Sequence, residues 1–181
     1  MYGSSTGFTD IDAKYGSVAG DSGKTYLAVG YLSTTKVTNA VWNDYAECRV
    51  SDYNTPGRVV LESSSGRMQL ANDRLLPGCK IISDTFGNLM GESETAKTPI
   101  AVAGRVLVYP YQDRSKYELG AAVCSAPNGT VDIMTREEIR EYPERIIGTV
   151  SEIPTYEIWQ AGSKEDPVDV QVNGRIWIYV R

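Results

Sequence analysis

From residue 56 onward the chain breaks into short β-prone runs separated by Gly, Pro and Asn at near-regular intervals. Pro56-Gly57 precedes the run 58–61, Ser63-Ser64-Ser65-Gly66 precedes 67–70, Pro77-Gly78 precedes 79–82, and Phe86-Gly87-Asn88 reads as a further turn before 89–91. Pro99 opens the strongest strand candidate, 100–109. Asn128-Gly129 lies between 121–124 and 131–134, and Asn173-Gly174 lies between 168–172 and 175–180. Both residues of an Asn-Gly pair tolerate positive φ, so each pair predicts a hairpin. Many short strands with such turns cannot make a helical bundle; they predict a mainly-β, barrel-like or sandwich domain. Its expected core holds Val59, Ile81, Ile100, Val102, Val106, Val123, Ile133, Ile147, Val150, Ile176 and Ile178.

One helix interrupts this pattern, over 135–142. Thr135 and Glu138 have the spacing of a capping box, in which each side chain reaches the other's backbone amide. Glu137 and Glu138 suit the positive end of the helix dipole, and Pro143 stops the helix.

The 181 residues fit one domain with a short arm. Residues 1–37 are poor in large aliphatics apart from the run 26–32 and predict a flexible or extended arm. Residues 38–181 predict the β domain, long enough to bury a core without disulfides or metal. Cys48, Cys79 and Cys124 are widely spaced with no CxxC pair, which predicts buried reduced thiols and no metal site. The net charge of -5 leaves no excess of Lys and Arg to displace counterions from a phosphate backbone, so no nucleic-acid partner is expected. No apolar run approaches the ~18 residues of a membrane span, and the N-terminus lacks a basic and apolar signal. These features predict a cytoplasmic product with no membrane span.

The chain has no histidine. That removes Ser-His-Asp and Cys-His nucleophiles and most zinc hydrolase sites, leaving carboxylates, hydroxyls, thiols and amines for any chemistry. Gly20-Asp21-Ser22-Gly23-Lys24-Thr25 imitates a phosphate loop at the wrong spacing and reads as a turn, so no cofactor is expected. The densest cluster is Trp42-Asn43-Asp44-Tyr45-Ala46-Glu47. In a helical turn Asp44 and Glu47 would be neighbours; in a strand Asp44 and Ala46 would share one face and Asn43, Tyr45 and Glu47 the other. Two close carboxylates can divide the roles of acid and base. A solvated surface turn is the plainer reading of the same residues.

The order of these segments is informative. The Asn-Asp-Tyr-Ala-Glu stretch at 43–47 is followed by Pro-Gly turns, the long strand at 99–108, the short capped helix, Ile146-Ile147-Gly148-Thr149-Val150-Ser151 and finally Asn173-Gly174-Arg175-Ile176-Trp177. Over residues 38–181 this resembles the peptidase G2, or intramolecular chaperone autoprocessing, domain at the C-terminus of phage tail-spike and neck-appendage proteins. The resemblance implies a homotrimer that sets chain register for an upstream fibre segment of the same or a neighbouring tail protein. It places the protein in the bacterial cytoplasm during assembly and in the virion tail if retained. It also implies self-cleavage in some members. Asp44 and Glu47 are then the acid–base pair, Asn43 positions the scissile amide, and the cut falls before residue 38, beside Asp21 or Ser22. The alternative is a non-catalytic tail component or receptor-binding tip that uses exposed tyrosines and the polar loops 111–117 and 161–167.

Overall fold

A computed structural model describes residues 43–162 and 167–181 of the chain. The strands are β1 (Asp44–Arg49), β2 (Val59–Glu62), β3 (Met68–Leu70), β4 (Lys80–Ile82), β5 (Phe86–Met90), β6 (Thr98–Val108), β7 (Ala122–Ala126), β8 (Thr130–Ile133), β9 (Gly148–Glu152), β10 (Ile158–Gly162), β11 (Pro167–Gln171) and β12 (Ile176–Val180). A single α-helix among the described residues, α1 (Arg136–Glu141), lies between β8 and β9. The protein is mainly β, as the turn punctuation predicts: one sheet, in the order β3-β2-β4-β6-β12-β9-β7-β8 with β1 joined to β6 and β5 to β1, curls into a half-barrel. β10 and β11 form a separate two-stranded sheet.

β6 organises the sheet. β12 pairs with its C-terminal half, while β1 and β4 pair with its N-terminal half. Val106, Leu107 and Val108 are all buried, as are Ile176, Trp177 and Ile178 opposite them. Strand side chains alternate between faces, so consecutive burial requires cover on both. On one face Val106, Val108, Ile176 and Ile178 join the main core with Val59, Ile81, Val123 and Val150. On the other, Leu107 and Trp177 pack against Val170 and Val172, with Tyr156 and Trp159 at the margin. Trp159 meets Trp177 edge-on at 5.2 Å, and the Trp177 indole N–H donates to the Tyr156 hydroxyl at 2.9 Å.

Nine of the eleven expected core residues are buried, with two corrections. Val102 is half-buried outside the clusters, because the β1–β6 register slips from Tyr45↔Ala103 to Ala46↔Ala101 and leaves it as the bulged residue. Ile133 is half-buried and packs on the edge of the main core.

Two turn predictions also need correction. Phe86-Gly87-Asn88 is not a turn; it lies in β5, which pairs in parallel with β1. Asn128-Gly129 does close the β7–β8 hairpin, with Asn128 at φ 61° and Gly129 at φ 64°. Asn173-Gly174 adopts the same positive-φ geometry, and the Arg175 amide donates back to Val172 O at 2.9 Å. Yet β11 and β12 are not hairpin partners: β11 pairs with β10, and β12 with β6 and β9. Burying Val170 and Val172 against Trp177 lifts β11 onto the face of the sheet.

The helix is capped as expected. Thr135 Oγ1 accepts from the Glu138 amide at 3.2 Å, and Glu138 Oε2 accepts from the Thr135 amide at 2.7 Å. The Glu138 carboxylate also takes a forked pair of hydrogen bonds from Arg74, which reaches Asp132 at 2.7 Å and so pins the helix to β8 and the segment before β4. Cys48, Cys79 and Cys124 are buried free thiols. The arm at 1–37, the run 26–32, the loop-like Gly20–Thr25 stretch and the expected cleavage region lie outside the described residues, as do 163–166 of the polar loop. Among the described residues no helix is long and apolar enough to cross a membrane.

Candidate functional site

Asp44 opens β1, and the strand alternation sends it inward with Ala46 and Cys48 while Tyr45, Glu47 and Arg49 face out. This is the strand arrangement of the two that the sequence allowed. It separates the expected carboxylate pair: Asp44 is 3% exposed, whereas Glu47 is half-buried on the opposite face, 3.9 Å from Arg49. Within one chain, therefore, Asp44 and Glu47 do not meet. The physical reason is parity, since residues three apart share a face in a helix and oppose each other in a strand.

The partners that Asp44 does have come from the segment between β4 and β5. Thr85 Oγ1 donates to Asp44 Oδ1 at 2.8 Å, and Ser83 Oγ donates to the same oxygen at 3.1 Å. The Ser83 hydroxyl also accepts from the Thr85 amide at 3.0 Å, which holds the two hydroxyls in register. Asp44 Oδ2 is buried with no hydrogen-bond partner among the described residues, and the same is true of Asn43 Nδ2. The Asn43 backbone is clamped on both sides: its amide donates to Thr85 O at 3.2 Å, and its carbonyl accepts from the Arg105 amide at 2.8 Å. Gly104, at φ 108°, permits this approach; a Cβ there would stand 2.3 Å from Asn43 O and 2.7 Å from Asp44 Cα.

Burial pushes the Asp44 carboxyl up to about 6, with the Asp84 carboxylate nearby adding to the rise and the Thr85 and Ser83 hydroxyls opposing it. Asp44 thus exchanges its proton near pH 6, in a chain that has no histidine to do so. A carboxyl of this kind gives or takes a proton within hydrogen-bond reach of a reacting group. Oδ2 is the atom left to do it.

Asp44 and Asn43 were legible from their local density of polar groups; Ser83 and Thr85 were not. They stand 39 and 41 residues from Asp44 and read as an ordinary polar link between two strands. Only the pairing of β1 with β5 and β6 brings them to the carboxylate. No side-chain set among the described residues groups three or more Cys, Asp or Glu into a metal site. No family model, curated protein or solved structure matches this chain.

Proposed function

We propose that this domain is a C-terminal trimerisation module of a phage tail fibre or appendage, an intramolecular chaperone for the upstream segment, and that Asp44 is its acid–base group for self-cleavage. The observation that carries the reading is the setting of Asp44. A carboxyl sits at the start of the domain, directly after the segment in which the cut is expected. It is buried, held by two hydroxyls on one oxygen and unpartnered among the described residues on the other. Protonated, Oδ2 donates to a scissile carbonyl or a departing amine; ionised, it takes the proton of an attacking hydroxyl. Asn43 serves the carbonyl only through its side-chain Nδ2, unpartnered among the described residues, because its backbone N–H is given to Thr85 O. Glu47 has no place in that step unless a neighbouring copy delivers it.

The assembly half of the proposal draws on the outer face of the sheet. Met90 on β5, Tyr45 on β1 and Tyr179 on β12 are exposed along strands joined through β1 and β6. Exposed aromatic and Met side chains on one face suit burial against copies of the same chain.

Light scattering at micromolar concentration tests the assembly: three chains of 19.9 kDa give about 60 kDa. A monomer mass overturns it. Intact mass tests the chemistry: the parent chain loses a piece from residues 1–37 at a rate that changes with pH near 6, and Asp44→Asn stays whole. Equal processing in Asp44→Asn removes Asp44 from the mechanism.

A further inference from the structure

A second polar site lies on the far side of the same Ser83-Asp84-Thr85 tripeptide. The two hydroxyls point to Asp44, while Asp84 points into a cleft of about 450 Å³ between β11 and the turn that precedes β2. That volume falls within the roughly 300–1,000 Å³ of small-molecule sites. At its base lies Arg175, 2% exposed. Its Nη1 and Nη2 fork onto Asp84 at 2.8 and 2.9 Å, Nε donates to Val172 O at 3.1 Å, and Nη2 also donates to Gln171 O. Above it the Tyr109 ring is covered by the Arg58 guanidinium at 4.3 Å, and the Arg175 guanidinium lies 5.8 Å from its centroid. The rim carries Thr55, Asp169, Gln171 and Asn173. Asp169 and Gln171 are exposed and two residues apart on β11, so they share a face.

The lining excludes several ligand classes by its chemistry. Among the described residues that line the cleft, the one cation offered to an anion is Arg175, which is neutralised by Asp84 and spends four of its five N–H groups on protein oxygens. Among the described lining residues a divalent cation finds Asp84 occupied by Arg175 and one further carboxylate, short of the ligand number such ions take. An apolar ligand would bury the rim carboxylate and amides without partners. A neutral ligand with many hydroxyls fits. Asp84 keeps acceptor positions on both oxygens, since a carboxylate has about four and Arg175 takes two. The fork also fixes those oxygens in advance, which lowers the ordering cost of binding. Asp169 accepts, Gln171 and Asn173 both donate and accept, and Pro56 and Val168 offer apolar wall to ring C–H groups.

We propose that this cleft is a saccharide-binding site, read by Asp84, Asp169, Gln171 and Asn173 and held open by the buried Arg175. The proposal rests on the cleft alone and stands whether or not the chain trimerises or cuts itself.

The test is amide-resolved NMR titration of the intact 181-residue chain with a panel of disaccharides built from the common hexoses and N-acetylhexosamines, with inorganic phosphate and calcium as separate arms. At least one sugar shifts the amides of Asp84, Asp169, Gln171 and Asn173 saturably at millimolar concentration. Replacing two exposed rim groups in Asp169→Ala/Gln171→Ala weakens that binding about thirtyfold or more, the loss of one neutral hydrogen bond and one to a carboxylate, and leaves the melting temperature unchanged. The proposal is overturned if no sugar moves these amides at about 20 mM, well above a millimolar dissociation constant. It is equally overturned if phosphate or calcium binds there in place of sugar, or if the double variant binds the sugar as tightly as the parent.

Discussion

Asp44 is held in the fold at a cost, and removing its charge exposes the size of that cost. Folding raises this carboxyl from 3.8 to about 6. An acid raised by folding binds its proton more tightly in the folded state. Its ionised form therefore lowers stability above about pH 6, and the penalty fades as pH falls and disappears below 3.8, where both states are protonated. A rise from 3.8 to about 6, at roughly 1.36 kcal/mol for each pH unit, amounts to about 3 kcal/mol at pH 7. Asp44→Asn keeps the shape and the acceptor oxygen for Ser83 and Thr85, and places an amide where Oδ2 lacked a partner. The variant is thus expected to be more stable than the parent at pH 7 by up to about 3 kcal/mol, or roughly 6–12 °C in melting temperature for a chain of this size. The difference shrinks through pH 6 to 4 and is gone near pH 3.5. Thermal denaturation followed by circular dichroism across that range measures it. An Asp44→Asn variant that melts below the parent at pH 7, or a difference that does not change with pH, refutes the account of Asp44 as a buried, desolvated acid. A more stable variant that has also lost self-cleavage is the signature of a functional group retained against stability.

Three further outcomes follow from packing and charge. Gly104→Ala forces a Cβ into the Asn43 carbonyl at positive φ; it is expected to destabilise by about 3 kcal/mol or more in denaturant titration and to perturb the Asp44 titration with it. The Arg74 fork, with the Thr135 amide, holds the Glu138 carboxyl down to about 2 from 4.5, so its contribution is full above pH 4.5 and is lost as pH falls toward 2; Glu138→Gln is expected to cost about 1–2 kcal/mol at pH 7, reduced by solvent screening, with the gap closing in acid melts. Trp177→Ala opens the seam between β6, β12 and the β10–β11 hairpin and is expected to cost about 3–5 kcal/mol, with protease nicking between 158 and 171 as the local readout.

The mainly-β class, the Asn128-Gly129 hairpin and the capping box of α1 were determined by sequence, because each depends on residues only a few positions apart. An Asn-Gly pair fixes positive φ by itself, and a Thr and a Glu three residues apart reach each other's amides in any helix that forms. The inward turn of Asp44 was legible as one of two options, and choosing β over α at 43–47 was enough to part it from Glu47. The rest depended on which strands meet. Asn173-Gly174 makes its turn locally, but whether that turn joins two paired strands or hands the chain from one sheet to another is decided by Val170 and Val172 finding Trp177. Val102 fits the alternation of β6 until the slip against β1 displaces it. β5 buries too little of its surface to carry an alternating pattern, so it looked like a turn. Ser83, Asp84 and Thr85 look like a polar link in the chain. They acquire their roles only when β1 and β12 bring Asp44 to one side of them and Arg175 to the other. Those contacts span 41 and 91 residues, and no local propensity encodes a meeting at that separation; it is set by the burial of the core that draws the strands together.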